Sequence, residues 1–141
     1  NYRVMSAAPA FFGDRQTCRE ATRWFPAMVG NHVADIVERY GTGREDIPPS
    51  LTAYIEGRRG YDYSRHGQSD NPFLDFITDD VIDGFSVLGT PEEHVAKLEE
   101  LQAAGVTQFY IYLDNGDEEE IIAEYGRSII PAFRLAAGLS A

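Results

Sequence analysis

Cysteine is all but absent from the 141-residue chain, where Cys18 stands alone. One thiol closes no internal disulfide and builds no multi-cysteine zinc or iron–sulfur site. Histidine is scarce too. His32, His66 and His94 include no pair at helical ligand spacing, so no metal centre is expected. No apolar run approaches the ~20 residues of a membrane-spanning helix, and no basic, apolar and small-residue leader is present. A cytoplasmic protein is the expectation. Repeats, low-complexity tracts, a Walker loop, a nucleophile elbow and a G-x-G-x-x-G turn are also missing, which removes solenoids and several common catalytic signatures.

What is present suffices for a packed core. Hydrophobic residues make up 43% and charged residues 25%, the balance of one modest globular domain. The net charge of −11 is uneven. Residues 1–70 carry nine acidic residues and nine arginines, whereas residues 71–141 set fourteen acidic residues against Lys97, Arg127 and Arg134. Such a surface repels a phosphate backbone and an anionic membrane, so neither nucleic acid nor membrane is an expected partner. Its simplest role is solvation. An anionic ligand belongs nearer the arginine-bearing half.

Along the chain, residues 3–9 read as a short buried strand, and Asp14–Tyr40 as a helix kinked at Pro26. A shorter helix spans Ser50–Arg58, followed by an irregular polar loop at about 61–72. Phe85–Leu88 is a short apolar strand. Thr90, Pro91 and Glu93 then form a capping-box start to a helix with Val95, Leu98 and Leu101 inward and Gly105 as its stop. Gln108–Leu113 is a β-rich strand expected to be buried, an acidic helix starts at Asp117, and a last helix follows Pro131. Short strands alternating with helices imply α/β structure with a parallel sheet, Phe85–Leu88 lying next to Gln108–Leu113.

The run Gly84–Glu93, the segment Leu101–Phe109 and the closing Ile129–Phe133 resemble the C-terminal end of the luciferase-like monooxygenase family. Arg23–Val33 and Tyr61–Gly67 resemble its deazaflavin-dependent branch. The resemblance implies a (β/α)8 TIM barrel of which residues 1–141 supply the last three βα units, with an inserted loop. It also implies a parent oxidoreductase using coenzyme F-420 or FMN on a small-molecule substrate. A complete barrel needs about 250 residues. The missing N-terminal barrel strands, or another copy of the chain in a homo-oligomer, are therefore the expected partners.

In such barrels chemistry sits at the C-terminal ends of the strands. That points to Pro9, Phe11 and Phe12, to Gly89 and Thr90, and to Asp114 and Asn115. The helix start at Gly89–Thr90 can hold a cofactor phosphate, although a capped helix needs no ligand. His32 and His66 are the candidate catalytic imidazoles. Trp24, Asn31, Tyr61, Tyr63 and Arg65 are candidate substrate contacts, with the 61–67 loop as a lid beside His32. Each of these residues also admits a plain structural role. The competing expectation for the whole chain is a non-catalytic domain that associates through exposed sheet edges.

Overall fold

A computed structural model describes residues 2–40, 49–58, 64, 74–113 and 116–136. The elements run β1 (Met5–Phe12), α1 (Arg15–Thr22), α2 (Trp24–Tyr40), α3 (Pro49–Gly57), α4 (Asp79–Phe85), β2 (Val87–Gly89), α5 (Pro91–Ala103), β3 (Gln108–Tyr112) and α6 (Glu118–Glu124). A π-helical turn (Tyr125–Ile129) joins α6 to α7 (Ile130–Ala136). The chain forms two compact units, Asn1–Cys18 with Val87–Ala141, and Arg19–Ser86.

In the first unit the three strands are parallel, but their order is β2-β1-β3. This corrects the expectation that Phe85–Leu88 and Gln108–Leu113 are direct neighbours, the order that consecutive barrel strands would take. The reason lies in strand length. Phe85 closes α4, which leaves β2 three residues, all matched by Ala10–Phe12. The eight-residue β1 offers a longer ladder on its other edge, where Met5–Pro9 take Gln108–Tyr112 in register. Helix α5 therefore carries the chain past β1 to reach β3.

One face of this sheet is covered by helices. Ala10, Val87, Ile121, Tyr125 and Ile129 form its buried core, with Val95, Leu98, Phe109, Ile111 and Phe133 packed against them. The two-residue period of β3 splits its side chains. Phe109 and Ile111 join that core, while Tyr110 and Tyr112 stay 49% and 42% exposed, so the strand expected to be buried is covered on one face only. With Met5, 63% exposed, they line an uncovered hollow of about 320 Å³. The π turn has a packing reason. Ile121, Tyr125, Ile129 and Phe133 recur every four residues, and at 3.6 residues per turn such a stripe drifts around an α-helix by ~40° per step. A wider turn in the middle step reverses the drift and keeps all four on the core.

The second unit is helical. Trp24, Ala27, Asn31 and Ala34 make the buried stripe of α2. The expected interruption falls at Arg23, not at Pro26. Pro26 sits in the first turn of α2, where its missing N–H has no helical partner to lose. Arg19 forks onto Asp83 (2.9 and 2.6 Å) and reaches Asp79 (3.0 Å), joining α1 to α4 through charge-assisted bonds. Helices α2 and α3 approach so closely at Gly30 that a Cβ there would lie 2.6 Å from the ring of Tyr54. Tyr54 cannot retreat easily, because it is buried and its hydroxyl donates to the Pro26 carbonyl (3.1 Å). Gly30→Ala gains ~1 kcal/mol of helix propensity but overpacks this contact by about 3 kcal/mol, a net loss of about 2 kcal/mol. Urea denaturation should show that loss, and a neutral or stabilised variant would contradict the close approach.

Candidate functional site

The C-terminal ends of β1 and β2 meet backbone to backbone, with the Gly13 N–H donating to the Gly89 carbonyl (3.2 Å). Both glycines have positive φ, +132° and +110°, so each strand turns sharply into the helix that follows. On the β1 side Asp14 caps α1, accepting from the Thr17 N–H (3.0 Å) and hydroxyl (3.1 Å). Those bonds hold the Asp14 carboxyl below the usual carboxylate range. On the β2 side the capping box is complete. The Thr90 hydroxyl accepts from the Glu93 N–H (3.4 Å), and the Glu93 carboxylate accepts from the Thr90 N–H (2.7 Å). Arg15 bonds the same carboxylate at 2.6 Å, and this contact, with the Thr90 N–H, keeps Glu93 readily ionised. A backbone N–H and a guanidinium thus converge on one oxyanion, supplied here by the protein itself.

Behind this seam lies His94, fully buried on α5. Its Nε2 is 3.2 Å from the Phe11 carbonyl, which can only accept, so Nε2 carries the hydrogen. Its Nδ1 therefore accepts from the Tyr125 hydroxyl, 3.1 Å away. The imidazole stacks on Phe12 with ring centres 4.0 Å apart, and Tyr125 meets both rings edge-on. Burial pushes the imidazole pKa down to about 4 and the Tyr125 phenol up. The Cys18 thiol, buried and raised in pKa by that burial, also points at the Phe11 carbonyl (3.5 Å). A separate groove of about 860 Å³ runs along the helix-covered side of β3, lined by Leu98, Leu101, Phe109, Ile122, Ile130 and Phe133 among others.

The structure distributes the other expected site residues as follows. Trp24 is buried edge-on to Phe25. Asn31 is 2% exposed, with its Nδ2 donating to the Ala27 carbonyl (2.7 Å) and its Oδ1 lacking a hydrogen-bond partner among the described residues. His32, one residue on, is exposed. Tyr61, Tyr63, Arg65, His66, Asp114 and Asn115 lie outside the described residues. Among the described residues no cluster of three His, Cys, Asp or Glu is placed to hold a metal, and no helix is long and apolar enough to cross a membrane.

Two curated relatives align with most of this chain. It is 31% identical over 123 residues to the 5,10-methylenetetrahydromethanopterin reductase of Methanopyrus kandleri, covering 86% of the chain and 32% of that enzyme. The enzyme of the same name from Archaeoglobus fulgidus is 29% identical over 123 residues, covering 86% and 35%. The chain spans about a third of the length of these relatives. No family model and no solved structure matches it.

Sequence reasoning passed over His94 as a site residue, although a signal was there. Positions 94, 98 and 101 share one helical face, so the periodicity that turns Leu98 and Leu101 inward takes His94 with them. Arg15 carried no comparable signal. Its partner Glu93 lies 78 residues away and is brought to it by the meeting of two strand ends distant in sequence.

Proposed function

We propose that the chain is the C-terminal portion of a luciferase-like (β/α)8 oxidoreductase that works with coenzyme F-420. The observation that carries this reading is the 123-residue likeness to two 5,10-methylenetetrahydromethanopterin reductases. It coincides with the family resemblance of Gly84–Glu93, Leu101–Phe109 and Ile129–Phe133. The substrate class that follows is a one-carbon unit on a reduced pterin carrier. When bound, the deazaflavin supplies the hydride; the protein's share is to bind, orient and exclude water.

The residues at the strand ends suit an anionic cofactor. Gly89 presents no Cβ, and the Thr90 N–H and the Arg15 guanidinium each hold one oxygen of the Glu93 carboxylate, the chemistry two phosphate oxygens would share. On this reading Gly89 and Thr90 hold the cofactor's phosphate while Glu93 swings aside. Trp24, Asn31 and His32 belong to the substrate side, and Tyr61, Tyr63, Arg65 and His66 to its lid. In the complete barrel the missing strands would cover Met5, Tyr110 and Tyr112.

Those same exposed side chains favour the second reading, a non-catalytic domain that covers this face and its sheet edges with another copy of the chain. Absorbance titration of the purified full-length protein with coenzyme F-420, and separately with FMN, distinguishes the readings. Saturable perturbation by coenzyme F-420 is the expected result. A response to FMN alone overturns the deazaflavin assignment, and silence to both leaves the association domain standing.

A further inference from the structure

Three side chains converge on the last peptide groups of β1. His94 donates from Nε2 to the Phe11 carbonyl, Tyr125 donates to Nδ1 of His94, and the Phe12 ring stacks on the imidazole. The next residue, Gly13, makes the backbone bond that ties β1 to Gly89. Glu93, adjacent to His94 on α5, reaches forward to Thr90 and Arg15. One turn of helix thus faces the core with His94 and the strand ends with Glu93.

We propose that His94 is a positioning residue, which through the Tyr125–His94–Phe11 relay sets the Phe11–Gly13 strand end and so the Gly13–Gly89 seam on which the cofactor's anionic group rests. The functional half rests on the cofactor reading above; the relay itself does not. A buried imidazole needs neither charge nor access for this task. It needs one fixed tautomer, and the two partners on opposite ring nitrogens impose it. The sulfhydryl of Cys18 shares the Phe11 carbonyl, whose two lone pairs accommodate both donors. The π turn contributes by keeping Tyr125 on the core face, where its hydroxyl reaches Nδ1.

The test uses the full-length protein and three variants. Tyr125→Phe removes only the hydroxyl, His94→Phe keeps the stack on Phe12 but loses both hydrogen bonds, and His94→Gln restores a donor toward Phe11. Nitrogen-15 spectra of histidine-labelled protein, with His94 assigned by its loss in His94→Gln, should show a single Nε2–H tautomer. Tyr125→Phe should raise the pH at which His94 titrates. Amide exchange at Gly13 should quicken about tenfold in His94→Phe, the factor carried by one lost hydrogen bond, and recover in His94→Gln. Titration with coenzyme F-420 should weaken by a similar factor in His94→Phe and recover in His94→Gln. A His94 that populates both tautomers, or Gly13 exchange unchanged in His94→Phe, overturns the relay. Wild-type coenzyme affinity in His94→Phe with altered Gly13 exchange overturns its functional half. Failure of the wild-type protein to bind coenzyme F-420 overturns the cofactor reading, and the functional half of the relay with it, while the tautomer and exchange results still decide the relay.

Discussion

Replacing Gly89 with alanine is expected to destabilise the protein by about 3 kcal/mol, combining backbone strain of ~1–3 kcal/mol with loss of a helix cap worth ~1 kcal/mol. At φ +110° an L side chain is strained whatever space surrounds it. Space is also lacking, because a Cβ would stand 1.9 Å from Oε2 of Glu93, the oxygen that accepts the Thr90 N–H. Glu93 would have to rotate away, opening the capping box and the contact with Arg15. That ion pair is well exposed and adds little by itself. Glu93→Ala removes the same contacts from a relaxed backbone and should cost about 1 kcal/mol. Urea denaturation of the wild type and both variants ranks them. A Gly89→Ala protein no less stable than Glu93→Ala would remove strain from the account.

Acidification from pH 6.5 to pH 4 is expected to cost about 3 kcal/mol through His94 alone, at 1.36 kcal/mol for each unit between the ordinary and folded pKa values. The sign follows from which state binds the proton. In the folded protein the imidazole pKa lies at about 4 because burial disfavours its charged form, against 6.5 for an ordinary histidine. Between those values the unfolded chain is protonated and the folded one is not. Stability is therefore complete above pH 6.5 and falls as the pH drops toward 4. The neighbouring charges oppose each other, Glu93 favouring the imidazolium and Arg15 disfavouring it, and the Tyr125 phenol stays neutral throughout. Carboxylates titrate lower in the range, and Asp117, raised by burial, acts in the opposite sense to Asp14 and Glu93. His94→Gln keeps those carboxylates and removes the imidazole. Its denaturation free energy should lose about 3 kcal/mol less than that of the wild type over the same interval. Parallel pH dependence in the two proteins would show that His94 is not held neutral by the fold.

Parts of the site were legible because their causes are local. The Thr90–Glu93 capping box closes across three residues, so its sequence pattern and its geometry are nearly the same fact. Gly105, expected as a helix stop, follows α5 closely with φ +98°. Helix α4 was passed over although Thr78, Asp79 and Asp80 make a favourable acidic start. Its seven residues are too few to show a period, and its Phe85 was absorbed into the following strand. The interruption expected at Pro26 falls at Arg23, and Pro26 itself is accommodated in the first turn of α2. A proline tolerated in a first turn and one that kinks an interior look alike until the start of the helix is known.

By itself the sequence determined that this is an α/β chain with short parallel strands, a capped helix at Thr90 and an apolar strand ending near Leu113. Those features follow from residue periodicity and from contacts spanning a few positions. Only the tertiary structure decided that β1 lies between β2 and β3. Strand partners are chosen by ladder length and by which edges remain open, and both depend on segments up to a hundred residues apart. The same holds for His94. Helical period turns it inward, but the Phe11 carbonyl and the Tyr125 hydroxyl that fix its tautomer come from a strand 83 residues before it and a π turn 31 residues after it. No local pattern carries that information, because the energy of a buried polar group is set by the partners that folding brings to it.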